Sequence, residues 1–215
     1  MKKILLLVAL AIGFAVNAQE KLNEGVLVSK QILSSENEQV QQQLAMMGDM
    51  VSETYFKDSK SRVEMSNPMT GDITTISNGE TNEVLVLMDN PMAGKMYSLK
   101  KAEPSKEDLD NITVEKGTET KTILDYKCQQ YFVKIKQGET MMEMEVFTTD
   151  AIDAYSKETA MFEGKLQGFP LYTSIDMNQN GVEMTVVSEV IAIRKEDVPE
   201  DKFVMLPPEG YTKME

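Results

Sequence analysis

The stretch that most limits the fold runs from Lys127 to Thr149, KCQQYFVKIKQGETMMEMEVFTT. Apolar and polar side chains alternate on both sides of Gln137-Gly138. That is the pattern of two antiparallel strands joined by a two-residue turn, with glycine supplying the positive φ. Pairing Lys136 with Glu139 places Tyr131, Val133 and Ile135 on one face with Met142, Met144 and Val146. The other face then sets Phe132 opposite Glu143, Gln130 opposite Glu145 and Cys128 opposite Phe147. A slip of one residue would turn the whole apolar set to water, so the face assignment is firm. One apolar and one charged face predict an antiparallel sheet covered on a single side.

The rest of the chain repeats this grammar. Glu24 to Leu33 reads as a first strand, and Ser35-x-x-Glu38 is a capping-box signature for a short helix. Val40, Leu44 and Met47 form the apolar stripe of that helix, Gly48 stops it, and the stripe is expected to lie against the sheet. Strand signals follow in MVSETYFKD, SRVEMS, DITTIS, EVLVLMD and GKMYSLK, separated by Asp-Ser, Asn-Pro and Asn-Gly turns. Val84 to Met88 is apolar without a break, which predicts burial on both faces. Glu103 to Asp110 reads as a loop or one helical turn, and Ile112–Glu115 and Glu119–Leu124 bring the chain into the central hairpin. Ala151 to Gly168 loses the alternation and reads as a connector with a weak helix. A second hairpin, LYTSIDM and VEMTVVSEVIAIR, turns through Asn178 to Gly181, with Met177 set opposite Val182. The reading is about ten strands in one domain.

At the N-terminus, Lys2 and Lys3 precede an apolar run from Ile4 to Val16, and small residues lead to Ala18. This predicts a secretory leader over 1–18, cleaved near Ala18, and a single β-rich domain over 19–215 in the periplasm or secreted. The apolar run is too short to argue for a spanning helix, and no lipoprotein cysteine stands at the cleavage point, so no membrane anchor is expected. With Asp and Glu far outnumbering Lys and Arg, the net charge of −13 argues against nucleic acid and anionic lipid surfaces. A single cysteine cannot staple the fold, so the core must hold it.

The chain has no histidine, which removes the usual general base and zinc ligand, and no tryptophan for stacking on sugars. There is no G-x-S-x-G elbow and no Gly-rich phosphate loop. Glu143 and Glu145 fall on the charged face with Lys134 and Lys136 nearby, which reads as a solvated surface. Asp176 to Gly181 matches the first half of a calcium loop, but Val187 stands where the closing glutamate belongs, and an ordinary hairpin turn accounts for it. The 17 methionines cluster at Met46, Met47 and Met50, at Met88, Met92 and Met96, and at Met141, Met142 and Met144. Thioethers suit Cu(I), although a flexible lining for an apolar cavity explains them more simply.

Several motifs carry a resemblance. Ser61-Arg62-Val63-Glu64, the run ITTISNGETNEVLVLMD and the strand GKMYSL are similar to the lipoprotein-carrier (LolA/LolB-like) half-barrel superfamily. LDYKCQQY, Gly168-Phe169-Pro170-Leu171 and the ending VPEDKF…PPEGY resemble an exported family described as domain of unknown function 4412. The resemblance implies a mainly β fold. It would be a single curved antiparallel sheet, a half-barrel, with one or two short helices on or over an apolar concave face that the carriers use for acyl chains.

The function expected is therefore a non-enzymatic exported binding protein for an apolar or acylated ligand, with no cofactor and no metal. Two alternatives stand beside it: a Met-rich copper-handling protein, and an envelope interaction protein without small ligand. The candidate cavity lining is Val84, Val86, Met88, Tyr131, Val133, Met142, Met144, Ile175 and Met184. Cys128 is either a buried inert thiol or the link of an intermolecular disulfide.

Overall fold

The computed structural model describes residues 21–67, 71–138, 140–162, 164–179 and 181–214. The expected leader and Glu139 lie outside them. In chain order the elements are β1 (Glu24–Ser35), α1 (Glu38–Met47), β2 (Met50–Lys57), β3 (Lys60–Asn67), β4 (Gly71–Asn78), β5 (Glu83–Asn90) and β6 (Gly94–Lys101). Then come α2 (Lys106–Asp110), β7 (Ile112–Ile123), β8 (Tyr126–Gln137), β9 (Thr140–Thr149), α3 (Lys157–Ala160), β10 (Phe169–Gln179) and β11 (Val182–Arg194). A 3-10 turn (Glu200–Phe203) and β12 (Thr212–Lys213) complete it.

All twelve strands belong to one sheet, in the order β12-β6-β5-β4-β3-β2-β1-β11-β10-β9-β8-β7. Neighbours are antiparallel except β12, which adds to β6 in parallel. Chain length forces this sheet to curl. β6 and β7 stand ten strand spacings apart, roughly 48 Å if the sheet were flat at about 4.8 Å per strand. Only residues 102–111 join them, and these could span at most about 36 Å even without α2. The mainly β, curved antiparallel sheet expected from the sequence is the one observed. Among the described residues, no helix is long and apolar enough to cross a membrane.

Cross-strand partners share a face, so the register sorts side chains into two sets. One set runs Val133, Met144, Ile175, Val186 and Leu33 through β8, β9, β10, β11 and β1. Along β1 it continues to Ser29, then through Ser52, Met65, Ile73, Met88 and Met96 to β6. Side chains of β1, β2 and β3 reach into the same cavity as those of β9, β10 and β11, so this face is concave.

The chain's end covers the opposite face over β1 to β6. Val198 and Phe203 pack on Val26 and Tyr55, while Met205 and Tyr211 pack on Ile76, Leu85, Leu87 and Tyr97. That explains the burial of Leu85 and Leu87, while Val84 is buried on the concave side of the same strand.

Several details differ from the sequence reading. The central hairpin pairs Gln137 with Thr140, which moves the turn one residue on and makes Gly138 its first member at φ 62°. Met177 pairs with Met184, not Val182, and it is Gln179 that pairs with Val182. Both registers move by two, which leaves every side chain on its expected face. β7 is one strand, broken by an irregularity between Lys116 and Thr120 where Gly117 makes room for Gln130. The N-cap of α1 is Asn37, whose Oδ1 accepts from the Gln39 and Val40 N–H groups. Ser35 instead donates its hydroxyl to the Glu183 carbonyl at 2.6 Å, holding the first strand to β11. The sheet is also not covered on one side only. Tyr126, Cys128, Gln130 and Phe147 are buried, on the face opposite Tyr131, Val133 and Val146. Single-sided exposure survives only toward the hairpin tip, at Phe132, Lys134 and Glu143.

Candidate functional site

Residues 151–168 form a lid over the concave face. At one end, Ile152 bridges to Leu22, with the Leu22 N–H on the Ala151 carbonyl and the Asp153 N–H on the Leu22 carbonyl, both at 2.8 Å. In the middle, Phe162 and Leu166 bury themselves against Ile112, Tyr131, Val133 and Val146. Lys165 donates from Nζ to the Leu109 and Ile112 carbonyls at 2.7 and 3.0 Å. At the far end, Thr148 donates its hydroxyl to the Gln167 carbonyl at 2.6 Å. Gly168 there has φ 78°, and a Cβ on it would fall 2.8 Å from the Thr149 carbonyl oxygen. Only glycine suits both constraints. Pro170 follows in an interior strand, tolerated because the ladder shifts between Pro170 and Tyr172.

Beneath the lid lies a cavity of about 280 Å³. Its apolar walls are Val63, Met144, Val146, Leu171, Ile175 and Val190, with Phe162, Leu166 and Phe169 from the lid and its hinge. Between them stand Ser29, Ser52, Thr54, Thr173 and Ser188 with Gln31. A recess of about 130 Å³ continues it past Thr54 and Val63 to Ser61, Thr75, Ser77 and Tyr155. No Asp, Glu, Lys or Arg lines either space among the described residues, in a chain that is 27% charged. Hydroxyls on apolar walls can orient an uncharged polar group, and the absence of fixed charge favours an apolar body.

The nine candidate residues all share the concave face. Met144 and Ile175 line the cavity, and Tyr131 and Val133 close its end beneath Phe162 and Leu166. Val84, Val86 and Met88 stand on β5, outside that cavity. Met184 lines a wider recess of about 690 Å³ at the tips of β9, β10 and β11, and Met142 lies on the same face at that end. The serines and threonines of the lining were missed. Part of their signal was present, because SETYF sets the hydroxyls of Ser52 and Thr54 at alternate positions.

Cys128 is fully buried among Tyr126, Phe147 and Leu171 and pairs with Lys121 of β7, while Gln130 takes the position opposite Phe147. A link to a second copy would require this part of the sheet to open. Glu143 meets Lys134 at 3.1 Å, and Glu145 accepts from Gln130 Nε2 at 2.6 Å. The Asp176 carboxylate accepts from the Thr185 hydroxyl at 2.7 Å, and Asn178 Oδ1 accepts the Gly181 N–H at 3.0 Å, as in a hairpin turn. Among the described residues, no three His, Cys, Asp or Glu side chains gather as a metal site.

Residues 38–211 match the family model described as Domain of unknown function (DUF4412). No curated protein matches the chain. Among solved structures, PNGF-II in space group C2 is similar, with a TM-score of 0.51 and 16% identity. The likeness covers 89% of this chain and 31% of that one, and it is a likeness of fold.

Proposed function

We propose, from the premise that this chain belongs to the family described as Domain of unknown function (DUF4412), that it is an exported, non-enzymatic binding protein for an apolar or acylated ligand. The observation that carries this reading is the uncharged cavity under the 151–168 lid. Its volume of about 280 Å³ falls just below the range of small-molecule sites, about 300 to 1,000 Å³. With the adjoining recess it suits one slender apolar chain better than a bulky lipid. The basic and apolar leader pattern of residues 1–18 supports a location in the periplasm or outside the cell.

The test is native mass spectrometry of protein purified from its own host's envelope, followed by solvent extraction. A bound mass that extracts as lipid supports the reading, and a bare chain counts against it. Titration with a fluorescent fatty acid adds a site-specific arm. Ser188→Phe puts a ring into the cavity and should abolish binding while the fold persists, at an overpacking cost of about 1–3 kcal/mol. Undiminished binding by a folded Ser188→Phe protein would move the ligand elsewhere.

A further inference from the structure

The register does something with the methionines that their spacing along the chain does not. Met50, Met65, Met88, Met96, Met142, Met144, Met177 and Met184 all fall on the concave face, and all are half-buried. On β3 to β6 they are interrupted, since Ile73 separates Met65 from Met88 and leaves only the Met88–Met96 pair. On β9 to β11 they are not. Met144 pairs with Ile175, and two residues along each strand toward the tips come Met142 and Met177. Met177 in turn pairs with Met184. Three thioethers thus stand in one row on three adjacent strands, on one face, at the open end of the sheet beyond the lid.

We infer that Met142, Met177 and Met184 form a three-thioether site for a soft monovalent ion, Cu(I) or Ag(I). Met177 and Met184 are directly opposed, which sets their Cβ atoms about 4.5–5.5 Å apart. Met142 stands one residue past the last β9–β10 pair of Glu143 with Asp176, and each methionine has three rotatable bonds with which to bring its sulfur inward. Uncharged thioether ligands select Cu(I) over harder divalent ions. Met177 and Met184 border an open recess at the strand tips, but its carboxylates Glu143, Asp176 and Glu183 stand on the opposite face of the sheet, so selection rests on the soft thioethers themselves. This site is separate from the uncharged cavity and does not rest on the apolar-ligand reading.

The test is Cu(I) titration of the full chain under anaerobic, ascorbate-reduced conditions against a chromogenic Cu(I) chelator. Native mass spectrometry with Ag(I) supplies a redox-silent count. One ion per chain is expected. The triple variant Met142→Leu, Met177→Leu, Met184→Leu keeps volume and apolar character, so it should fold, and it should bind at least tenfold more weakly. Met88→Leu with Met96→Leu should leave affinity and count unchanged. Equal affinity in the wild type and the triple leucine variant, or a loss shared by the Met88 and Met96 variant, would overturn the assignment. Fatty-acid binding by the triple variant reports independently on the cavity.

Discussion

At Cys128 the thiol donates to the Tyr126 carbonyl at 3.5 Å within an otherwise apolar cluster, and burial pushes its pKa from an ordinary 9.0 to about 11. Two pH units correspond to about a hundredfold less thiolate at neutral pH, and thiolate is the reactive form. An aromatic disulfide reagent should therefore label native Cys128 at least a hundredfold more slowly than the unfolded chain. Rapid labelling of the native protein would mean that this part of the sheet opens freely. The same shift gives a stability dependence whose sign is fixed. Because the folded pKa lies above the unfolded one, the buried neutral thiol contributes fully below pH 9 and that contribution is lost as pH rises toward 11. Cys128→Ala should remove that part of the alkaline slope in urea unfolding measured between those pH values. A lone cysteine in a sequence does not reveal this. Burial here comes from Phe147, Leu171 and Ile152, brought from other parts of the chain.

The C-terminal segment is the element whose role was least visible beforehand. This proline-bearing ending carries no strand alternation, yet it covers the outer face of half the sheet. The Val198 N–H donates to Glu24 Oε1 at 2.7 Å, and Lys57 lies 3.1 Å from the same oxygen. Glu200 joins Lys57 and Lys60, and Arg62 donates to the Lys202 carbonyl at 3.2 Å while the Lys202 ammonium sits over the Tyr55 ring. The Val198 N–H, followed by Lys57, holds the Glu24 carboxyl below its ordinary 4.5, and Lys60 does the same to Glu200. Depressed folded values mean stability present above pH 4.5 and lost as pH falls through them, so the segment should loosen in acid. Hydrogen exchange at Val198 and Lys202 should speed up on acidification ahead of the strand core, and Glu24→Gln should flatten that response. Phe203→Ala should cost about 3 kcal/mol in urea unfolding, since a largely buried ring leaves a hole over Val26. The hairpins were legible to a different degree. Period-two alternation fixed which side chains share a face, while the turns fell one step off, because alternation repeats after two residues and tolerates that slip.

At the scale of the molecule, alternation says that a sheet has an apolar side but not how far it curls or what closes it. Curvature here follows from the short tether between β6 and β7, a relation between distant edges of the sheet that no local pattern contains. The lid was the stretch where alternation failed, and its docking depends on contacts far apart in sequence. Gly79 marks one of them. It lies just after β4, and a Cβ placed on it would sit 2.6 Å from the Tyr155 ring of the lid. Its backbone is not left-handed, so alanine fits there locally and the clash falls on Tyr155. Tyr155 borders the recess that continues the cavity, between Ser77 and Phe169. Gly79→Ala should therefore act on lid closure more than on the sheet. Amide exchange over residues 151–166 should accelerate several-fold while the strands keep their protection, and a bound fluorescent fatty acid should leave faster. A variant whose lid exchange is unchanged would mean that Tyr155 shifts within the closed state, and that closure rests on Phe162 and Leu166 alone. If lid exchange quickens but the off-rate of the fatty acid does not, the lid is mobile without being the gate.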